Sequence, residues 1–308
     1  MLRVYSCCSL KVMLLALLFA MRSFAFVAPC AVRKLSIKWS LFSAVPTSGS
    51  AAVRMQVPTP TSALELQMLS FYHFHEIQDP LQTRNQLFQS LMDLPGLRGT
   101  LYIATEGINA QVALPPIHVN EFLTTVQENL PFGFSPNLGD VVDIQQPTFD
   151  RFIVRTRNAV LRDGLQHPLN WSDAGEELSP DQWHTQIKEV PMLIDCRNAY
   201  ESEFGSFRDA IPLDTNVFSE SWERLEQITS RVDKDTPIHI FCTGGIRCVK
   251  VGAYLKQKLG FQDVRRLEHG IIGYEKWAED SGDDMVWEGE NFLFDKRRIL
   301  DANQAKSD

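Results

Sequence analysis

The stretch Ile238-His239-Ile240-Phe241-Cys242-Thr243-Gly244-Gly245-Ile246-Arg247-Cys248 decides how the second half of this chain folds. Residues 238–241 are a short, apolar, β-branched and aromatic run, which reads as a buried strand. Two glycines break it, and Arg247 to Leu259 then has helical spacing. A strand that passes directly into a helix is the repeating joint of a mostly parallel sheet covered on both faces. In such sheets functional groups gather beyond the carboxyl ends of the strands, which is where Cys242 falls.

Three features of the loop favour the thiolate, the reactive form of cysteine. The helix start presents unpaired N–H groups and a partial positive charge. Gly244 and Gly245 let successive amides turn inward as an anion-binding nest, with Thr243 and Ile246 completing the cradle. Arg247 adds a permanent charge with a fork of donors. Cys242 is therefore expected to be a low-pKa nucleophile, with Arg247 as its partner. The competing reading is a buried cysteine finishing a core strand. Cys248, at the start of the helix, is placed either to resolve an oxidised or persulfurated Cys242 or to face the core.

Working outward, Met192-Leu193-Ile194-Asp195 reads as a second buried strand, and helices are expected at Phe218–Arg231 and Ile271–Glu279. Upstream the pattern differs. Leu66–Glu76 is strand-like, Leu81–Leu94 helical, Thr100–Ala104 and Asn109–Leu114 a strand pair, Val119–Leu130 helical, and Arg151–Val160 a last strand. The order β-α-β-β-α-β is the ferredoxin-like split arrangement. The chain thus divides into a ferredoxin-like α/β module over 63–165 and a doubly wound parallel-sheet module over 166–298, with a disordered tail at 299–308.

The first 62 residues belong to neither module. Residues 1–25 read as a signal peptide, with a nine-residue apolar run at Val12–Ala20 and a small-x-small site at Ser23-Phe24-Ala25. Residues 26–62 are acid-free and rich in Ser, Ala and Val, as in a transit peptide, and end in a Pro-Thr linker. Ala25-Phe26-Val27-Ala28-Pro29 resembles the junction of bipartite plastid leaders, so plastid import is expected, with ordinary secretion as the alternative. No stable membrane association is expected once the leader is removed. No acid precedes Glu65, so the remaining 23 bases face 38 acids and the body carries a formal charge of about −15. That balance argues against indiscriminate nucleic-acid binding. The body keeps Cys196, Cys242 and Cys248, an odd set with no C-x-x-C pair, which suits a reducing compartment.

The motifs now point to a family. Leu193-Ile194-Asp195-Cys196-Arg197 with Glu201 and Gly205 resembles the opening of rhodanese-like domains. Four residues separate Cys242 from Arg247, one fewer than in cysteine phosphatases, so the loop suits a sulfur-sized group. Cys-Thr-Gly-Gly-Ile-Arg-Cys followed by Lys250 is narrower and resembles the rhodanese-like tRNA uridine hydroxylases, which form 5-hydroxyuridine at the wobble position. Tyr102-Ile103-Ala104-Thr105-Glu106-Gly107-Ile108-Asn109-Ala110-Gln111 matches that family's other signature, and Asn291-Phe292-Leu293-Phe294-Asp295 its closing strand. Ser206 departs from the family's usual His, and His269 from its usual Gly. The sequence ends at Asp308 without the cysteine-rich tail of many bacterial members.

The resemblance implies an oxygen-dependent hydroxylase acting on tRNA, with molecular oxygen as co-substrate and no evident cofactor. The residues alone imply only a reactive thiol, and leave open a sulfurtransferase carrying a Cys242 persulfide or a non-catalytic binding module. Asp195 is placed either to hold the loop or to pair near Arg197. Glu106 and Asn109 are candidates for RNA contact, or plain turn residues. Arg151, Arg155 and Arg157 share one strand face and are the best candidates for phosphate contacts, or else guard an edge strand. His73 and His75 have metal-compatible spacing, but nothing completes a site and no metal is expected. The electron source, the tRNAs concerned and any protein partners are not legible.

Overall fold

In the computed structural model, which describes residues 65–146 and 148–296, the first strand shows why its module folds as it does. In β1 (Glu65–Phe74) Leu69 and Phe71 are buried, while Ser70 and Tyr72 take the other face. Leu66, on that other face, is buried in a small separate cluster with Ala113 and Val142. Next come α1 (Pro80–Leu91), β2 (Arg98–Ala104), β3 (Gly107–Leu114), α2 (Val119–Glu128), β4 (Asn137–Asp143) and β5 (Phe152–Thr156). The sheet order is β4-β1-β3-β2-β5, with β2 and β5 parallel. Leu87 and Leu91 of α1 and Phe122 and Val126 of α2 share one core with Phe71, Leu101, Ile103, Ile108 and Val112. Each such side chain contributes about 1.5–3 kcal/mol by leaving water.

The ferredoxin-like order holds, with one correction. Its fourth strand is β4, which alternation did not reveal, because Asn137-Leu138-Gly139-Asp140 is polar and forms an edge. The strand expected at Arg151–Val160 is the shorter β5, a fifth strand on the opposite edge.

The second module contains β6 (Glu176–Leu178), α3 (Pro180–Gln186), β7 (Met192–Asp195), α4 (Ala199–Ser202), β8 (Gly205–Phe207), β9 (Ile211–Pro212), α5 (Ser221–Thr229), β10 (Ile238–Phe241), α6 (Ile246–Gln257), β11 (Val264–Leu267), α7 (Gly270–Ser281) and β12 (Trp287–Gly289). Its main sheet, β6-β11-β10-β7-β9, is parallel throughout. The expected closing strand at Asn291–Asp295 is not one. β12 lies just before it, paired with β8.

Nine of the twelve residues of α6 are buried, Arg247, Cys248 and Lys250 included, because both modules enclose the helix. Tyr72 and Phe74 of β1 pack with Trp171, Ala174, Val249 and Ala253. Gly252 allows the contact, since a Cβ there would lie 2.0 Å from the Ala174 carbonyl. The leader, with Cys7, Cys8 and Cys30, and the tail lie outside the described residues. Among the described residues no helix is long and apolar enough to cross a membrane.

Candidate active site

The 242–247 loop stands at the carboxyl end of β10, as its sequence requires, and Gly245 takes φ +94° to start α6. Its amide donates to Cys242 Sγ at 3.1 Å. A Cβ on Gly245 would lie 2.6 Å from the Tyr72 hydroxyl, so β1 of the other module closes over the loop. Gly244 has open space beside it. Gly270, at φ +60°, runs so close behind that a Cβ would lie 2.3 Å from the Cys242 carbonyl.

Arg247 does not offer its fork to the sulfur. It is spent on Glu201, at 2.5 and 2.8 Å, and on Thr243 Oγ1, at 3.0 Å. Thr243 in turn donates to Glu201 at 3.1 Å. Burial alone would raise the Glu201 pKa, but the charge and hydrogen bonds of Arg247 outweigh it and hold the carboxyl below its ordinary range.

This corrects the expectation of a low-pKa thiol. Cys242 is fully buried, and burial, then a hydrogen bond to Cys248, pushes its pKa well up against the weaker pull of Arg247. One loop amide, that of Gly245, meets the sulfur, and the Arg247 cation is already neutralised by Glu201. Cys248 is equally buried, within the same core as Cys242 and Cys196.

Asp195 takes the structural alternative. It accepts from the Arg197 amide at 3.0 Å, from the Arg197 guanidinium and from Ser202 at 2.9 Å, away from the loop. Glu106 is likewise not free for RNA. It accepts from Lys250 Nζ at 2.9 and 3.0 Å and from the Val160 amide at 2.8 Å. Lys250 also reaches Asp163 at 2.5 Å and lies 4.8 Å from the Trp171 ring centre. Glu106 and Lys250 therefore clasp the two modules together.

Asn109, whose amide nitrogen donates to the Val160 carbonyl at 3.4 Å, lies on the wall of a cavity of about 990 Å³ that both modules line. Cys242, Thr243, Gly244, Ile246 and Arg247 form one side, and Tyr72, Asn109 and Tyr102 belong to the other. The last three are direct cross-strand partners on β1, β3 and β2, so they form a row on one face, and Arg155 of β5 continues it. Arg157 sits 4.9 Å over the Tyr102 ring. Arg151 lines an adjoining cavity of about 460 Å³ that shares Phe149 and Phe294 with the first. All three arginines are exposed, on or beside the edge strand.

His269 joins the cavity wall at φ +56°, a conformation that explains why glycine suits the position. Asn137 donates to its carbonyl at 3.0 Å, and Ser135 lies 3.2 Å from its ring nitrogen. Ser206 pairs with Glu288 in the small sheet and lines neither cavity. His73 and His75 each lie 4.7 Å from the Phe132 ring, packed on it.

Tyr72, Tyr102, Glu201 and Lys250 are the site residues that sequence reasoning gave no role. The alternation in β1 that buries Phe71 also turns Tyr72 outward, a signal that was available. The pairing of Glu201 with Arg247 had none, since 46 residues separate them.

Fold and site together define a two-module chain, a ferredoxin-like sheet closed over a rhodanese-type thiol loop. Comparison with family models agrees: residues 66–160 match the UPF0176 acylphosphatase-like domain and residues 179–280 the rhodanese-like domain. A protein of Legionella pneumophila named tRNA uridine(34) hydroxylase is 34% identical over 239 residues, covering 77% of this chain and 91% of that protein. Proteins of the same name from Cronobacter sakazakii and Photorhabdus laumondii are 34% and 35% identical, each covering 74% of this chain. The chain spans 65% of the length of those two relatives. It belongs to the tRNA uridine(34) hydroxylase family.

Proposed function

We propose that this chain hydroxylates the wobble uridine of tRNA to 5-hydroxyuridine, with molecular oxygen as co-substrate and Cys242 as the essential thiol. The supporting observation is the row Tyr72–Asn109–Tyr102–Arg155, which runs from the thiol loop to the arginine-bearing edge. A single-stranded anticodon base can be splayed out, stacked on tyrosine rings and read at its edge by an amide such as Asn109. Exposed arginines at the end of the row suit the phosphates, and they concentrate positive charge on an acidic body. The sealed thiol suits chemistry that begins once a base has entered.

The sulfurtransferase reading uses the same loop, but it needs neither the sheet wall nor the arginines. A non-catalytic module would need no thiol. The test is nucleoside mass analysis of tRNA incubated with the protein in air. 5-Hydroxyuridine supports the proposal, whereas thiosulfate turnover without it favours sulfur transfer. The place of action is proposed to be the plastid, resting on the leader. A reporter carrying residues 1–64 is expected to enter plastids, and Phe26→Ala to stall it in the secretory route. Secretion of the unaltered fusion would refute import.

A further inference from the structure

Adding one oxygen atom of O2 to a C–H bond consumes two electrons and two protons, and neither uridine nor oxygen supplies them. Three thiols lie in series behind the cavity. Cys196 follows β7 and Cys242 follows β10, adjacent parallel strands in which Asp195 is opposite Phe241, and the Cys196 amide bonds the Phe241 carbonyl at 2.9 Å. Cys248, in the first turn of α6, lies between them. It packs with Cys242 and Cys196 in one buried core cluster. All three are at most 1% exposed, and only Cys242 lines the cavity. Three thiols gathered in one cluster can pass a disulfide among themselves without a thiol from solution.

We infer that these cysteines form an internal electron store, in which the Cys242–Cys248 dithiol is the reductant of the hydroxylation and Cys196 is its relay. The inference rests on the hydroxylase reading above. In the balanced step the uridine C5–H bond breaks and a C5–O bond forms with one atom of O2. The other atom leaves as water, taking the two thiol protons, and Cys242 and Cys248 lose two electrons as their disulfide forms. Attack by Cys196 on the Cys248 sulfur then moves the disulfide inward and returns Cys242 to the thiol. The exchange runs both ways, so an external dithiol entering the cavity can reset the store at Cys242. Burial favours the neutral thiols, so Cys196 gives up its proton as it attacks and Cys242 takes one as it leaves.

The test uses reduced full-length protein, freed of small thiols and mixed with tRNA in air. The expected result is a burst of about one 5-hydroxyuridine per chain that then stops, with a disulfide containing Cys248 found by peptide mass mapping. Cys248→Ser should lose the burst at least tenfold and regain turnover when dithiothreitol is added. Cys196→Ser should confine the disulfide to Cys242–Cys248. An undiminished burst in Cys248→Ser overturns the inference, as do three free thiols after a wild-type burst, a result that needs no variant. Failure of the wild type to hydroxylate even with dithiothreitol overturns the hydroxylase reading instead. A separate arm treats the RNA-free protein with one equivalent of peroxide. A Cys242–Cys248 disulfide supports the store, whereas a sulfinic acid at Cys242 beside a free Cys248 refutes it whatever the substrate.

Discussion

The two walls of the cavity are built on opposite principles. On the rhodanese side the loop is saturated: Arg247 is held by Glu201 and Thr243, and the Cys242 sulfur accepts from Gly245. On the sheet side Tyr72, Asn109 and Tyr102 present rings and an amide to the space, and an exposed arginine edge follows. A saturated, buried loop suits chemistry, and an aromatic wall leading to an exposed charged edge suits recognition. The division of labour thus coincides with the division of the chain, and the Lys250 clasp keeps the walls at a fixed separation.

The largest effect that could break this comparison lies on the thiol wall. Cys242→Ser is expected to lower hydroxylation by at least about a thousandfold, as loss of a reacting group does elsewhere, while the melting temperature stays near wild type. Residual activity within tenfold of wild type would move the chemistry off the loop. The clasp comes next. Lys250→Met leaves Glu106 and Asp163 without their cation and should cost about 3–5 kcal/mol in urea unfolding. Adding Glu106→Gln should recover part of that loss, because the pair acts as a unit.

The recognition wall predicts a smaller, salt-dependent effect. Replacing Arg151, Arg155 and Arg157 with Gln should weaken tRNA binding and flatten its dependence on log salt by roughly 0.7–0.9 for each phosphate no longer neutralised. The rate with saturating tRNA should hardly change. An unchanged slope would remove the arginines from recognition.

The smallest effects are titrations. In RNA-free protein, alkylation of Cys242 should rise only above its ordinary pKa of 9.0, because burial raises it. An inflection below that value would restore the low-pKa thiol expected from the sequence. Glu201 works in the opposite sense. Its folded pKa is depressed, so its contribution to stability is complete above its ordinary 4.5 and fades as pH falls through the folded value. Glu201→Gln should flatten that acid limb of the stability curve.

What the sequence made legible was local. The strand at Ile238–Phe241, the glycine turn and the helix behind it follow from neighbours in the chain, and so does Met192–Asp195. β4 was not legible because an edge strand needs no alternation, and Gly139 and Asp140 disguise it. The electrostatics of the thiol were misjudged for a related reason. Along the chain Arg247 follows Cys242 closely and reads as a free charge, whereas Glu201, which cancels it, is brought in by the fold. The clasp joins Glu106 to Lys250 across 144 residues, a separation no periodicity can report.

The enclosure of α6 has a consequence for how the molecule comes apart. An amide proton in a helix covered by both modules can meet solvent only when the modules part, so α6 should exchange at the rate of global opening. The exposed strand β5 should exchange far sooner. The rhodanese half expressed alone would turn Val249, Lys250 and Ala253 to water and lose the carboxylate of Glu106. Two modules that resemble separable domains in sequence are therefore expected, through one helix, to unfold as a single unit.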